Sequence, residues 1–252
     1  ILIVGGGGRE HALAWRLKQS PSVSSIVCAP GNPGMSKLGR CIPIKAEDIE
    51  GQVRLAKEER PNLVIVGPEA PLAMGLADRL REIDVPVFGP SAKAAQLESS
   101  KGFSKDLMQA CNVPTAAYGR FTDAEDAKAF LNNFSAPYVL KADGLAAGKG
   151  VVIAETRNQA EDEIDDMLSG KFGDASTELV IEEFMEGEEA SFFAISDGNS
   201  AIALAGAQDH KRVGDGDTGP NTGGMGAYSP APILDAAMQE RVMNEVVNPV
   251  IK

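Results

Sequence analysis

Lys141 closes a short apolar run, Tyr138 to Leu140, and is followed at once by Ala142-Asp143-Gly144-Leu145-Ala146-Ala147-Gly148-Lys149-Gly150. A cation delivered by a strand into a loop of small residues, whose backbone N–H groups can be approached closely, is chemistry suited to nucleotide phosphates. The spacing is not that of a Walker A loop: three residues separate Gly144 from Gly148, and Gly150 stands where a magnesium-holding Ser or Thr would. Downstream, Val180-Ile181-Glu182-Glu183-Phe184-Met185 is an apolar run ending in carboxylates and a hydrophobic pair, with Glu189 seven residues after Glu182. Backbone at such a strand end can read an adenine edge, Phe184 and Met185 can bury its face, and a carboxylate can accept from ribose hydroxyls. Taken singly, the first feature equally fits a glycine-rich hairpin turn and the second a solvated acidic face. Together they favour a nucleotide site.

A second constellation lies at the amino-terminal end. Gly5-Gly6-Gly7-Gly8-Arg9-Glu10-His11 follows one apolar run and opens a helical segment, which gathers unpaired N–H groups and a positive dipole end where an anion can sit. It is not a dinucleotide fingerprint. A G-x-G-x-x-G pattern started at Gly5 ends on Glu10 and one started at Gly6 ends on His11, while the next run ends Cys28-Ala29-Pro30 without a ribose-binding acid. A tight strand-to-helix turn is the structural alternative, and His11 reads as a packing or capping residue.

These residues must be positioned by elements, and the pattern specifies them. Short β-branched runs (Ile1 to Val4, Ser25 to Cys28, Leu63 to Gly67, Val85 to Phe88) alternate with amphipathic helix-length segments such as Arg9 to Gln19 and Ile49 to Glu59. That rhythm predicts βαβ units on a parallel sheet, with the Gly/Pro clusters at the strand ends sharing one ligand-binding edge. From Ser91 to Cys111 the pattern is helical, and at Val113-Pro114-Thr115 a different rhythm begins. Thr122 with Glu125 and Thr156 with Gln159 have capping-box spacing and predict helices starting near Asp123 and Arg157. Tyr138 to Lys141 and Val151 to Ala154 read as a strand pair, and Glu178 to Phe184 and Ala190 to Ile195 as two further strands. Gln208 to Pro232, rich in Gly, Asp, Asn and Pro and without periodicity, reads as a long functional loop.

The 252 residues suggest two compact units. A formal charge of −12 argues against nucleic acid or an anionic bilayer as partner. The longest apolar runs fall far short of the roughly 20 residues of a membrane span. Three cysteines without a C-x-x-C pair indicate neither a disulfide framework nor a zinc knuckle, which fits a reducing cytoplasm. Both ends suggest a piece of a longer chain: Ile1 is already inside an apolar run, and Lys252 follows a helix-like stretch without a closing cap.

At this point the chain resembles the ATP-grasp superfamily, and within it the phosphoribosylamine–glycine ligases (glycinamide ribonucleotide synthetases). The matching blocks are collinear: Gly7 to Leu13, Ala29 to Asn32, Val66 to Leu72, Ala95 to Lys101, Lys141 to Gly150, Gln208 to Arg212 and Thr218 to Tyr228. The resemblance implies an α/β chain. A Rossmann-like pre-ATP-grasp substrate domain with a helical linker would span residues 1–112, followed by an α+β ATP-grasp module with a lid over 113–185 and the start of a core over 186–252 that is incomplete at the C-terminus. It implies ATP-dependent ligation of 5-phosphoribosylamine with glycine, through glycyl phosphate, in de novo purine biosynthesis.

By position, the resemblance makes Lys105 and Lys141 phosphate-holding lysines and Gly144 to Gly150, with Gly148 and Lys149, a mobile phosphate loop. Glu182, Glu183, Phe184 and Met185 become the adenine hinge and Glu189 the ribose carboxylate. Gly8, Arg9, Glu10 and Glu69 fall where relatives hold the phosphoribosyl substrate and its amine. Asp209, His210 and Asn221 become substrate-side contacts, with Lys211 and Arg212 joining Lys141 as the cations nearest the chemistry. The cofactors implied are ATP and Mg2+ or Mn2+, but the family's Arg-Phe-Gly-Asp-Pro-Glu metal segment does not occur, so the metal ligands are expected beyond Lys252. The partners implied are small molecules only, handled by a cytoplasmic monomer or homodimer. Two rivals are another ATP-grasp carboxylate–amine ligase or carboxylase, which would lack the Thr218 to Tyr228 block, and a dinucleotide-dependent oxidoreductase, which needs the missing fingerprint.

Overall fold

The computed structural model describes residues 1–145, 150–216 and 218–251, with only the backbone of 174, 176, 220, 221 and 223. The chain forms two compact units. One takes in Ile1–Phe103, Ala142–Gly150 and Phe172–Thr177; the other takes in Ser104–Lys141, Val151–Lys171 and Glu178–Lys252.

In the first unit, β1 (Leu2–Gly5), β2 (Val27–Pro30), β3 (Arg40–Cys41), β4 (Val64–Val66) and β5 (Val87–Phe88) form one sheet in the order β3-β2-β1-β4-β5. Every neighbouring pair is parallel. The helices are α1 (Gly8–Lys18), α2 (Ile49–Glu59), α3 (Glu69–Ala73), α4 (Leu76–Arg81), α5 (Ala92–Ser99) and the start of α6 (Lys101–Ala110). The strands read as unbroken apolar runs because both faces are buried. Leu2 and Val4 pack with Val53, Leu55, Leu76 and Leu80 on one face, while Ile3 and Cys28 pack with Ala14, Ile26 and Met35 on the other. β2 and β4 flank β1 on opposite sides, so the loops after β1 and β4 meet where the strand order reverses, the usual ligand crevice of an open α/β sheet.

Burial, with Cys41 beside it in register, pushes the Cys28 thiol up to about 11. An acid weakened by folding stabilises the fold below its unfolded range near 9 and withdraws that contribution as pH climbs toward 11. Cys28 should therefore resist a thiol reagent at pH 8 in the native protein and react only after denaturant is added, followed by mass spectrometry of the labelled peptides. Native-state labelling of Cys28 at the rate of an exposed thiol would refute this.

In the second unit, β6 (Tyr118–Phe121), β7 (Tyr138–Ala142), β8 (Val151–Ala154) and β9 (Leu179–Glu183) form a sheet in the order β6-β9-β7-β8. Helices α7 (Ala124–Phe130) and α8 (Arg157–Leu168) accompany it. The unit's fully buried side chains include Leu140, Ile164, Met167, Leu179 and Ile181. Two hairpins follow, β10 (Ala194–Ser196) with β11 (Ala201–Ala203) and β12 (Gln208–Gly214) with β13 (Thr218–Tyr228), then α9 (Ala236–Val242) and α10 (Asn248–Ile251). Among the described residues no helix is long and apolar enough to cross a membrane.

Four local expectations need correction. The segment from Gln208 is not a loop but the β12–β13 hairpin; register shifts and glycines at positive φ (Gly219, Gly224, Gly226) break the two-residue alternation that would have revealed it. The Thr156–Gln159 capping box forms, but α7 is capped by Asp123 rather than Thr122: its carboxylate accepts from the N–H groups of Glu125 (2.9 Å) and Asp126 (3.0 Å). The helical stretch after Ser91 is two helices broken at Ser100. Finally, β10 starts only at Ala194; before it, Ser191 makes an isolated bridge to Ala207.

Candidate functional site

The second unit buries an ionic cluster at the end of β9. Glu182 is 4% exposed, and each of its oxygens takes one lysine: Oε1 meets Lys141 Nζ and Oε2 meets Lys105 Nζ, both at 2.9 Å. Lys105 also donates to Thr115 Oγ1 (2.8 Å) and the Ala116 carbonyl (3.3 Å), so three acceptors engage its ammonium. Lys141 differs. Its side chain is 26% exposed, and it stands on the last turn of strand before the glycine-rich loop. Two lysines against one carboxylate leave the cluster one net positive charge, presented to solvent by Lys141.

Beyond Glu182 the strand end opens. Glu183 pairs its backbone N–H with the Ala117 carbonyl (3.0 Å) and accepts from the Ala117 N–H on Oε1 (3.1 Å). Phe184 and Met185 are exposed large apolar side chains, Met185 at 65%. Glu189 pairs with Lys211 on β12, and this hydrogen-bonded carboxylate holds the Lys211 ammonium above the ordinary lysine range. Asp209, two residues before Lys211, lies 3.8 Å from it. His210 stacks against Tyr228 with ring centroids 5.5 Å apart, and Arg212 is the register partner of Asn221, whose side chain lies outside the described residues.

In the first unit, the loop after β7 is fastened at both ends. Gly144 donates its N–H to the Ala175 carbonyl (3.2 Å), and the Ala142 N–H reaches the Gly150 carbonyl (2.8 Å). Gly148 and Lys149 lie outside the described residues. Asp143 meets the start of α6. The sequence patterns give Ser100, Lys101, Gly102 and Asp143 no role, although the spacing of Asp143 two residues past Lys141 and a Ser at a helix start are signals.

The crevice at the end of β1 explains the glycine run. Glu10 is 4% exposed and accepts from the Gly7 N–H on Oε2 (2.7 Å). A Cβ on Gly67 would stand 2.3 Å from Glu10 Oε1, and one on Gly6 would stand 2.5 Å from the Gly31 carbonyl oxygen. These glycines exist so that a buried carboxylate and a neighbouring loop can close on the backbone. Gly8 is the exception: a Cβ there meets nothing within 4 Å. Beside it, Arg9 donates to the Gly67 carbonyl (2.9 Å) and to Glu69 Oε1 (3.0 Å). Gly8, Arg9, Glu10 and Glu69 therefore share one place, with Glu10 inside as a brace and Arg9 and Glu69 outside as a half-exposed ion pair. His11 packs over Gly34, where a Cβ would lie 2.2 Å from its ring.

The chain is 54% identical over 252 residues to phosphoribosylamine–glycine ligase of Rhizobium meliloti (strain 1021), and 56% identical over 251 residues to the Agrobacterium fabrum protein of that name. All of this chain is covered, but it spans only about 60% of the length of these relatives. The crystal structure of the Thermotoga maritima phosphoribosylamine–glycine ligase superposes with a TM-score of 0.84 at 30% identity, over 99% of this chain and 60% of that one. At 22% identity and a TM-score of 0.73, N5-carboxyaminoimidazole ribonucleotide synthetase from Thermus thermophilus shares the fold over 98% of this chain and 62% of its own. The profile of the phosphoribosylglycinamide synthetase N domain matches residues 1–98 and that of its ATP-grasp (A) domain matches residues 99–252, so the chain belongs to the phosphoribosylglycinamide synthetase family.

Proposed function

We propose that the full-length protein joins 5-phosphoribosylamine to glycine at the expense of ATP, giving glycinamide ribonucleotide, ADP and phosphate through glycyl phosphate. The observation that carries this reading is the identity of more than half of all positions with relatives of that name, over the whole chain. ATP supplies a γ-phosphoryl group that turns the glycine carboxylate into an acyl phosphate open to attack by an amine.

The residues present suit ATP. Lys141 offers a cation at a strand end, and exposed Phe184 and Met185 offer an apolar face for a base. Phosphoryl transfer asks the protein chiefly for positioning and for positive charge about the migrating oxygens. In this assignment Lys141 gives its charge to phosphate, while Lys105 stays with Glu182 and keeps that carboxylate from cancelling the cluster. Glu189 serves the ribose, and Asp209, His210, Lys211, Arg212 and Asn221 line the acceptor side. Among the described residues no group of three or more His, Cys, Asp or Glu could hold a metal ion, so a Mg2+ or Mn2+ that accompanies ATP would rest chiefly on the phosphate oxygens and water.

In the first unit Gly8 leaves open surface at the start of an 11-residue helix, where a phosphoribosyl phosphate can take amide hydrogens. Arg9 adds charge, and Glu69 is placed to accept from the substrate amine. Glu69→Gln keeps the shape and removes the charge, so the KM for phosphoribosylamine should rise about tenfold or more while the KM for ATP stays within about twofold. Steady-state kinetics with each substrate varied separately decides it; equal losses for both would make Glu69 a support of the fold instead.

A further inference from the structure

Helix α6 begins with three N–H groups that have no partner inside the helix. All three are satisfied, and two of them by a residue about forty positions downstream. Lys101 N–H donates to the Asp143 carbonyl (3.2 Å), Gly102 N–H to Asp143 Oδ1 (2.6 Å) and Phe103 N–H to Ser100 Oγ (3.0 Å). The same Asp143 Oδ1 accepts from the Ser100 hydroxyl (3.1 Å), and Lys101 Nζ reaches back to the carbonyls of Asp143 (3.3 Å) and Gly144 (3.1 Å). A carboxylate at a helix N-terminus also meets the positive end of the helix dipole. Ser100-Lys101-Gly102 and Asp143-Gly144, far apart in sequence, are thus one hydrogen-bonded knot at the first residues of the loop that follows Lys141.

We propose that Asp143 is a positioning residue for nucleotide use, its carboxylate tying Asp143-Gly144, the residues that follow Lys141 and Ala142 in the chain, to the start of α6, with the Lys101 ammonium held on the carbonyls of Asp143 and Gly144. This rests on the nucleotide reading of Lys141 given above. Its Oδ1 is turned toward the helix start, and the role given to it is to set the chain path at Asp143-Gly144. Replacing it removes the acceptor of the Gly102 N–H and of the Ser100 hydroxyl, so this carboxylate no longer ties Asp143-Gly144 to the start of α6.

The test uses the full-length protein. Asp143→Ala should raise the KM for ATP about tenfold, the effect of losing a charge-assisted cap of roughly one power of ten, while the KM for glycine stays within about twofold. Asp143→Asn, which keeps an acceptor oxygen, should restore most of the ATP affinity. Ser100→Ala, a gentler cut in the same knot, should move the KM for ATP in the same direction by about threefold, and it decides the matter if Asp143→Ala does not fold. ATP values within twofold of wild type for these variants, or equal losses for ATP and glycine, would overturn the proposal. Lys141→Ala measured alongside separates the failures: if it leaves ATP use intact the nucleotide reading has fallen, and if it abolishes ATP use while Asp143→Ala does nothing, only the positioning role has.

Discussion

Lys141→Ala in the full-length protein should lower kcat/KM for ATP by about a hundredfold or more, the scale on which loss of one preorganised transition-state donor is felt. Lys141 is the member of the buried cluster with its side chain partly in solvent, and it is the residue from which the glycine-rich loop departs. Its loss leaves Glu182 paired with Lys105 at 2.9 Å, so no buried charge is orphaned and the fold should survive. Glycine-dependent ADP formation at varied ATP, together with a melting temperature close to wild type, would show both halves. A variant within threefold of wild type would remove Lys141 from the chemistry.

Glu182→Leu carries the opposite signature. Glu182 holds two ammonium groups in the interior, and deleting it leaves Lys105, whose side chain is 8% exposed, without its counter-charge. Breaking a buried ion pair from one side costs about 3–5 kcal/mol, a large part of a domain's stability. Adding Lys105→Met to Glu182→Leu should return a substantial part of that loss, since an apolar pair can replace a buried ionic one. Urea unfolding of the wild type, the two single variants and the double variant gives the cycle. A single-variant loss below about 1 kcal/mol, or no recovery in the double, would mean that water reaches this cluster and that it is not the interior ion triad described.

Much of this arrangement is legible in the sequence because it depends on local rules. The parallel sheet shows as apolar runs at β1, β2, β4 and β5, since strands buried on both faces need no alternation. The Thr156–Gln159 box shows because its two hydrogen bonds lie within one helical turn. What cannot be read locally is who meets whom. That Lys105 and Lys141 share Glu182, and that Asp143 caps α6, are long-range contacts between separate motifs that sequence spacing does not express. The β12–β13 hairpin is hidden for a different reason. Its glycines and register shifts serve the backbone path of the ladder, and they erase the side-chain period on which strand recognition depends.

The glycine run after β1 looks like a phosphate-binding signature, yet Gly6 and Gly67 are shaped by a neighbouring carbonyl and by the inward-turned Glu10 carboxylate. The run is then the cast of an internal brace, and any pattern search that counts its glycines as cofactor contacts will misfile proteins built this way. Gly8 alone among the four is unconstrained by packing, which makes it an address where chemistry can be added from outside. A Gly8→Ala variant adds a single methyl group at the mouth of the crevice beside Arg9 and Glu69 without meeting protein atoms within 4 Å, so a change in phosphoribosylamine use that leaves the fold and the use of ATP intact would report on the occupant of the first unit alone.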